Sequence, residues 1–365
     1  MHVVVHIGPY KTGSTAIQAA LRSHQAALAQ QGCYYFDEPH MAEFALQTLW
    51  LTQPEQMTPD LRHRFADLAA AQAWSARCWQ RFEAEVQTRR PTLSVISSEH
   101  FSGLSDPEGL ITRLRRSFSR VTVLAYLRDP ASLYCSTLQQ RIRGNGDRLA
   151  ELPSPLSFFY PARKQLEPFL NLVGAANMQV RRFGGSNRDV VADFCATLTR
   201  LGMPLDLPSI QANTTLPGAV IAWVLTLNET LGARGPGAAR HRLLERLEVT
   251  PEVQALPRLR FRDPALPALI HANARPACAW LNQSFLQDQE PLPLLPPEVA
   301  PTGTALPSRS PQDLARARAA LRDWLLSQLT PAATAVIARA IVTLEPVSLE
   351  PSAPRPPPPP EKPLS

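Results

Sequence analysis

The sequence predicts an α/β fold, three layers (αβα) around a central parallel sheet, and three observations carry that prediction. Short apolar, β-branched runs are separated by longer amphipathic stretches of helical spacing, as strands buried on both faces require. The first run leads through a glycine-bearing turn into a helical segment. A later run ends in Arg128-Asp129-Pro130, which opens another.

Val3–Ile7 forms the first strand, and Ser14 to about Gln31 the first helix, closed by Gly32. Cys33–Phe36 is a short strand. Pro59 to Arg89, dense in Ala, Leu, Gln and Arg, is a long helix with room for one break. Leu93–Ser97, Val121–Leu127 and Met178–Phe183 are further strands, each followed by helical sequence. Right-handed crossovers then gather the strand ends on one edge of the sheet. From Thr215 to about Val249 the pattern is wholly helical, with Ala219, Val220, Trp223, Val224 and Leu227 as a core stripe. Residues 1–290 are expected to make the main domain and 291–311 a Pro-rich linker. Short helices occupy 312–345 (Gln312–Leu329 and Ala332–Leu344) and dock back on the domain. The Pro-rich tail, 346–365, with its polyproline run from Pro354 to Pro363, is expected to be disordered or extended, an inert tail before a weak partner-binding one.

The turn His6-Ile7-Gly8-Pro9-Tyr10-Lys11-Thr12-Gly13-Ser14-Thr15 is the most informative segment. A strand, a glycine turn and a helix N-terminus bring free N–H groups and the positive helix dipole to one point, a site for an anion. Lysine is rare in this chain: Lys11, Lys164 and Lys362 stand against 34 arginines. A compact ammonium suits a tight loop better than a guanidinium. The nucleotide-triphosphate loop places lysine directly after its second glycine. Here Ser14 follows Gly13 and the lysine sits mid-turn, which argues against plain ATP or GTP hydrolysis.

Arg128 falls at the carboxyl end of a strand, where open α/β sheets bind ligands. Asp129 suits the cap and Pro130 the first turn of the helix that follows, and Ser136 lies on it eight residues after Arg128. Arg128 and Ser136 can converge on a second anion. Glu99-His100 ends the Leu93–Ser97 strand. Alternation along a strand admits only one of the two, Glu99 or His100, to a cleft, and either could serve there as a base.

These motifs, between Met1 and Gly202, resemble those of sulfotransferases that use 3'-phosphoadenosine 5'-phosphosulfate (PAPS), above all the bacterial and glycan-type members. The resemblance implies a P-loop NTPase-like sulfotransferase fold. It implies that Lys11 contacts the bridging oxygen of the leaving phosphate, and that Thr12, Gly13, Ser14 and Thr15 hold the 5'-phosphate. Arg128 and Ser136 would hold the 3'-phosphate, and Glu99 would take the acceptor's proton. No metal is expected. The C-terminal Arg-Lys-Gly element of the small-molecule class is missing, and Arg234-Gly235-Pro236-Gly237 does not replace it. The adenine contacts stay unassigned, and the acceptor tilts toward a carbohydrate or glycolipid, with a small molecule as the alternative. The rival readings are a small-molecule kinase or NTPase of related fold, and a catalytically silent nucleotide-binding protein.

Composition is compatible with this. At 365 residues the chain can bury a large core, and 44% hydrophobic content is ordinary. A net charge of +6 suits polyanionic ligands, and no nucleic-acid module is visible. Five scattered cysteines suggest packed thiols in a reducing cytoplasm. No apolar stretch is long enough to span a bilayer, and no leader is visible at the N-terminus.

Overall fold

The computed structural model describes residues 1–38, 42–184, 189–210, 216–231, 237–261, 264–294 and 310–342. Five strands, β1 (His2–His6), β2 (Cys33–Tyr35), β3 (Leu93–Ser97), β4 (Arg120–Arg128) and β5 (Met178–Phe183), form one sheet in the order β2-β3-β1-β4-β5. Every pairing is parallel. The α/β expectation is met, and the three central strands are near-continuous apolar runs because both faces are covered.

Alternation along β1 divides the core. Val3, Val5 and Ile7 pack on one face, Val4 on the other. The Val4 face is covered by α1 (Ser14–Ser23), α2 (Gln25–Gln30) and, from after β5, the helix Val190–Arg200. The opposite face is built from the intervening segments. After β2 come α3 (Ala42–Ala45), α4 (Pro59–Arg64) and the 22-residue α5 (Leu68–Arg89), whose Trp79 and Phe82 are fully buried. Helix α6 (Pro107–Ser117) links β3 to β4; α7 (Pro130–Gln140) and α8 (Ala162–Val173) link β4 to β5. Helix α9 (Val190–Arg200) is the one on the Val4 face. The remainder is helical: α10 (Gly218–Leu231), α11 (Gly237–Val249), α12 (Pro251–Gln254), α13 (Ala265–Phe285), α14 (Pro311–Leu326) and α15 (Pro331–Val342). Helix α14 packs on α10 and α13, and α15 on α11, which is the docking expected of these segments.

Several boundaries differ from expectation for local reasons. The helix after the turn breaks at His24, whose Nδ1 bonds the Ala20 carbonyl and ends α1. The 59–89 segment breaks once, at Asp67, which caps α5 by accepting from the Ala70 N–H at 2.7 Å. Helix α7 widens into a π turn over Arg141–Asn145 and stops at Gly146, which is left-handed at φ 76°. The polyproline tail, Arg234–Pro236 and most of the Pro-rich linker lie outside the described residues. All five cysteines are buried and free. Among the described residues no single helix is long and apolar enough to cross a membrane; α14 and α15 together are, but they are bent by 66°.

Candidate active site

In this strand order β1's connection leaves toward β2 while β4's leaves toward β5, so their carboxyl ends border the crevice where the winding reverses. The anion loop follows β1, Arg128 closes β4, and Glu99 follows β3 on β1's other side. Three neighbouring strand ends thus carry the three motifs.

The loop is shaped by two glycines with different tasks. Gly13 is left-handed (φ 91°), and a Cβ there would stand 2.8 Å from the Phe183 ring and 2.9 Å from Val190. Only glycine lets the start of α1 approach β5 and α9 so closely. A Cβ on Gly8 would stand 2.2 Å from Ser14 Oγ, so a bare backbone leaves the cradle open. Ser14 Oγ itself is buried with no hydrogen-bond partner. No side chain caps α1; its Ala16 and Ile17 N–H groups turn to the Gly13 carbonyl, and the amides before them precede the first helical bond. Thr12 is buried and donates its hydroxyl hydrogen to the Pro9 carbonyl, so its side chain shapes the turn and only its N–H remains for a ligand. Thr15 is exposed at the helix start.

Lys11 adopts φ 65°, a conformation that costs a non-glycine residue about 1–2 kcal/mol. Its ammonium is held below the ordinary lysine pKa chiefly by burial, with Arg143 and Arg128 acting in the same direction and Glu99 against them. Arg128 Nη1 donates to the Lys11 carbonyl at 3.1 Å, and its guanidinium lies 5.5 Å from the centre of the Phe183 ring. Burial lowers its pKa also. Tyr160 Oη donates to the Arg128 carbonyl at 2.8 Å.

Glu99 and His100 are not on a strand. They open a 3-10 turn, Glu99–Gly103, capped by Ser98, whose Oγ accepts from the His100 N–H. The alternation argument therefore does not apply; packing separates the two instead. His100 Nδ1 is 3.0 Å from Tyr10 Oη, its ring stacks on Phe44 at 4.7 Å, and burial lowers its pKa to about 4. Glu99 is half-buried within electrostatic range of Lys11.

Asp129 caps α7 through the Ser132 N–H at 2.8 Å, and its other oxygen meets His271 Nε2 of α13 at 2.9 Å. Burial raises the Asp129 pKa, and the His271 and Ser132 hydrogen bonds outweigh it and hold the carboxylate below its ordinary range. A cavity of about 350 Å³ opens between the loop and α7, lined among others by Lys11, Arg128, Thr137, Phe158, Tyr160 and Gln165. Ser136 is half-buried on α7 beside Thr137 and is not among the lining residues. A wider groove of about 940 Å³, around Trp50, Asp106 and Arg116, shares no residue with the loop. Among the described residues no cluster of three His, Cys, Asp or Glu side chains is placed to hold a metal.

No protein-family model matches the chain, and no curated protein matches it. Among solved structures, a sulfotransferase from Alicyclobacillus acidocaldarius is similar at 18% identity, over 66% of this chain and 94% of that one, with a TM-score of 0.37.

Sequence reasoning missed the Tyr160 and His271 supports and the Phe158–Gln165 wall, because these contacts join residues far apart in the chain. One signal was legible: His6 is a polar residue closing a strand of buried apolar ones.

Proposed function

We propose that the protein is a sulfotransferase that moves the sulfuryl group of PAPS to a hydroxyl or amine of an acceptor, a carbohydrate or glycolipid before a small molecule. The observation that carries this reading is the junction of the β3, β1 and β4 ends. There a lysine in an uncapped glycine turn is bonded through its carbonyl to Arg128 and lies within electrostatic range of Glu99. The residues fit an inner phosphate: the cradle is one that a Cβ would fill, and a buried hydroxyl beside it lacks a partner.

PAPS would supply an activated sulfuryl group on a good leaving phosphate. The chain's own residues then do three things. The loop N–H groups, Ser14 and Lys11 hold the 5'-phosphate side and stabilise the charge that grows there as transfer proceeds. Arg128, with Ser136 from α7, holds the 3'-phosphate and sets the register. Glu99 accepts the acceptor's proton, and His100, neutral and tied to Tyr10, keeps the loop and the Glu99 turn together. As in phosphoryl transfer, positioning and charge stabilisation supply most of the rate.

Calorimetry with adenosine 3',5'-bisphosphate tests the donor site. Binding without added Mg²⁺, and tighter than that of ATP with Mg²⁺, is expected; the reverse preference refutes the reading in favour of a kinase or NTPase. Incubation with ³⁵S-labelled PAPS and a panel of glycans and glycolipids identifies the acceptor, and bisphosphate binding without transfer to any acceptor points to a silent nucleotide-binding protein.

A further inference from the structure

Beneath the anion loop lies a hydrogen-bond chain that the reading above does not use. His6 is fully buried at the end of β1, edge-on to Tyr126 and Phe194 at 5.9 and 6.3 Å between ring centres. Its Nδ1 is 2.8 Å from Ser97 Oγ at the end of β3. Gln18 Nε2, from α1, is 3.3 Å from both the Ser97 carbonyl and Ser97 Oγ. A carbonyl only accepts, so the Gln18 atom facing Ser97 is the amide nitrogen. Ser97 Oγ receives a hydrogen from Gln18, and its own hydrogen can go to His6 Nδ1 in the tautomer that carries the imidazole hydrogen on Nε2.

His6 Nε2 is buried without a partner, and so is Ser14 Oγ. Both groups border Gly8: a Cβ there would stand 2.2 Å from Ser14 Oγ and 3.3 Å from His6 Cε1. Each has given up its hydration without a hydrogen bond in return. Two such groups border the same glycine of the anion loop.

We propose that His6, as the Nε2–H tautomer, is a positioning residue for the bound anion: with the loop occupied its Nε2–H donates to Ser14 Oγ, a bond neither atom makes in this structure, and so turns the Ser14 hydroxyl hydrogen toward the oxyanion. This rests on the reading of the loop as a phosphate site. Hydrogen bonds then run one way, from Gln18 through Ser97, His6 and Ser14 to the anion, and no member of the relay is charged. Burial holds the His6 pKa at about 4, so the ring stays neutral and the direction is kept at physiological pH.

The experiment is ¹⁵N NMR of the full chain labelled at histidine, with adenosine 3',5'-bisphosphate and inorganic phosphate as probes. His6 is expected as the Nε2–H tautomer, with its Nε2–H resonance moving on addition of bisphosphate. In Ser14→Ala the resonance should stay still while the bisphosphate binds about tenfold more weakly. His6→Asn, which keeps a partner for Ser97 but lacks a donor at the Nε2 position, should lose about tenfold in affinity, and His6→Gln should recover most of it. An Nδ1–H tautomer in the wild-type chain, or a resonance unmoved by both probes, overturns the inference. If the bisphosphate fails to bind but phosphate moves the resonance, the PAPS reading falls and the role of His6 stands.

Discussion

Replacing Lys11 with glycine should separate what the lysine does for the fold from what it does for the ligand. At φ 65° the backbone costs an L-residue about 1–2 kcal/mol, which glycine releases. Glycine in turn loses about 0.5–1 kcal/mol of chain entropy relative to alanine. Lys11→Gly should therefore be more stable than Lys11→Ala, by up to about 1.5 kcal/mol. Both variants also remove an ammonium that burial, Arg128 and Arg143 disfavour and Glu99 favours. Urea unfolding followed by circular dichroism reads the stabilities. Transfer of ³⁵S from labelled PAPS reads the function, which both variants should lose by at least about a hundredfold, the scale of removing one preorganised donor to transition-state charge. A glycine variant less stable than the alanine variant would refute the strain argument. Wild-type turnover in either would refute the role given to the ammonium.

Gly8→Ala places its methyl against Ser14 Oγ; since Ser14 can rotate, stability should fall by only about 1 kcal/mol while calorimetry finds the bisphosphate site blocked. Glu99→Gln should lower kcat by about 10²–10⁴ and leave the bisphosphate Kd within about twofold, because its carboxylate acts on the acceptor. Arg128→Ala should weaken bisphosphate binding by at least about tenfold, measured by calorimetry, and lower stability slightly through loss of its bond to the Lys11 carbonyl. Lys11 also gives a pH signature. Its pKa lies below the ordinary 10.5, so the unfolded chain keeps that proton longer. Stability should rise as pH climbs through the folded pKa toward 10.5, transfer should decline over the same interval, and Lys11→Ala should abolish that stability rise.

Much of this was written in local sequence. The strands β3 and β5 are bounded as their apolar, β-branched runs predict, and the caps at Asp129 and the break before α5 follow from short polar side chains placed before helical spacing. The motif residues Lys11, Glu99 and Arg128 converge because chain order and right-handed crossovers leave few arrangements of parallel strands. What local pattern could not carry were contacts set by packing across the sheet. Glu99 and His100 were read as strand continuation, whereas the Ser98 hydroxyl turns the chain into a 3-10 helix and changes which side chains share a face. Which α7 side chains line the cavity is likewise set by the rotation of that helix: Thr137 does, and the neighbouring Ser136 does not.

Strain supplies an argument for function independent of any likeness. Among the described residues two non-glycine positions are left-handed, Lys11 and Arg90. Arg90 is the exposed C-cap of α5, where its N–H reaches the Val86 carbonyl and the left-handed turn ends a helix, an ordinary structural use. Lys11 ends no helix, and glycine or asparagine would take its backbone at lower cost. Its neighbours add two unmet polar atoms, on Ser14 and His6, around a glycine whose Cβ would displace the Ser14 hydroxyl. Costs of this kind persist where a ligand or a reaction repays them. Arg90→Gly is thus the control for Lys11→Gly: it should gain stability, by up to about 1.5 kcal/mol, with transfer unchanged. A loss of transfer in the Arg90 variant would mean that the two left-handed residues are not separable into a structural one and a functional one.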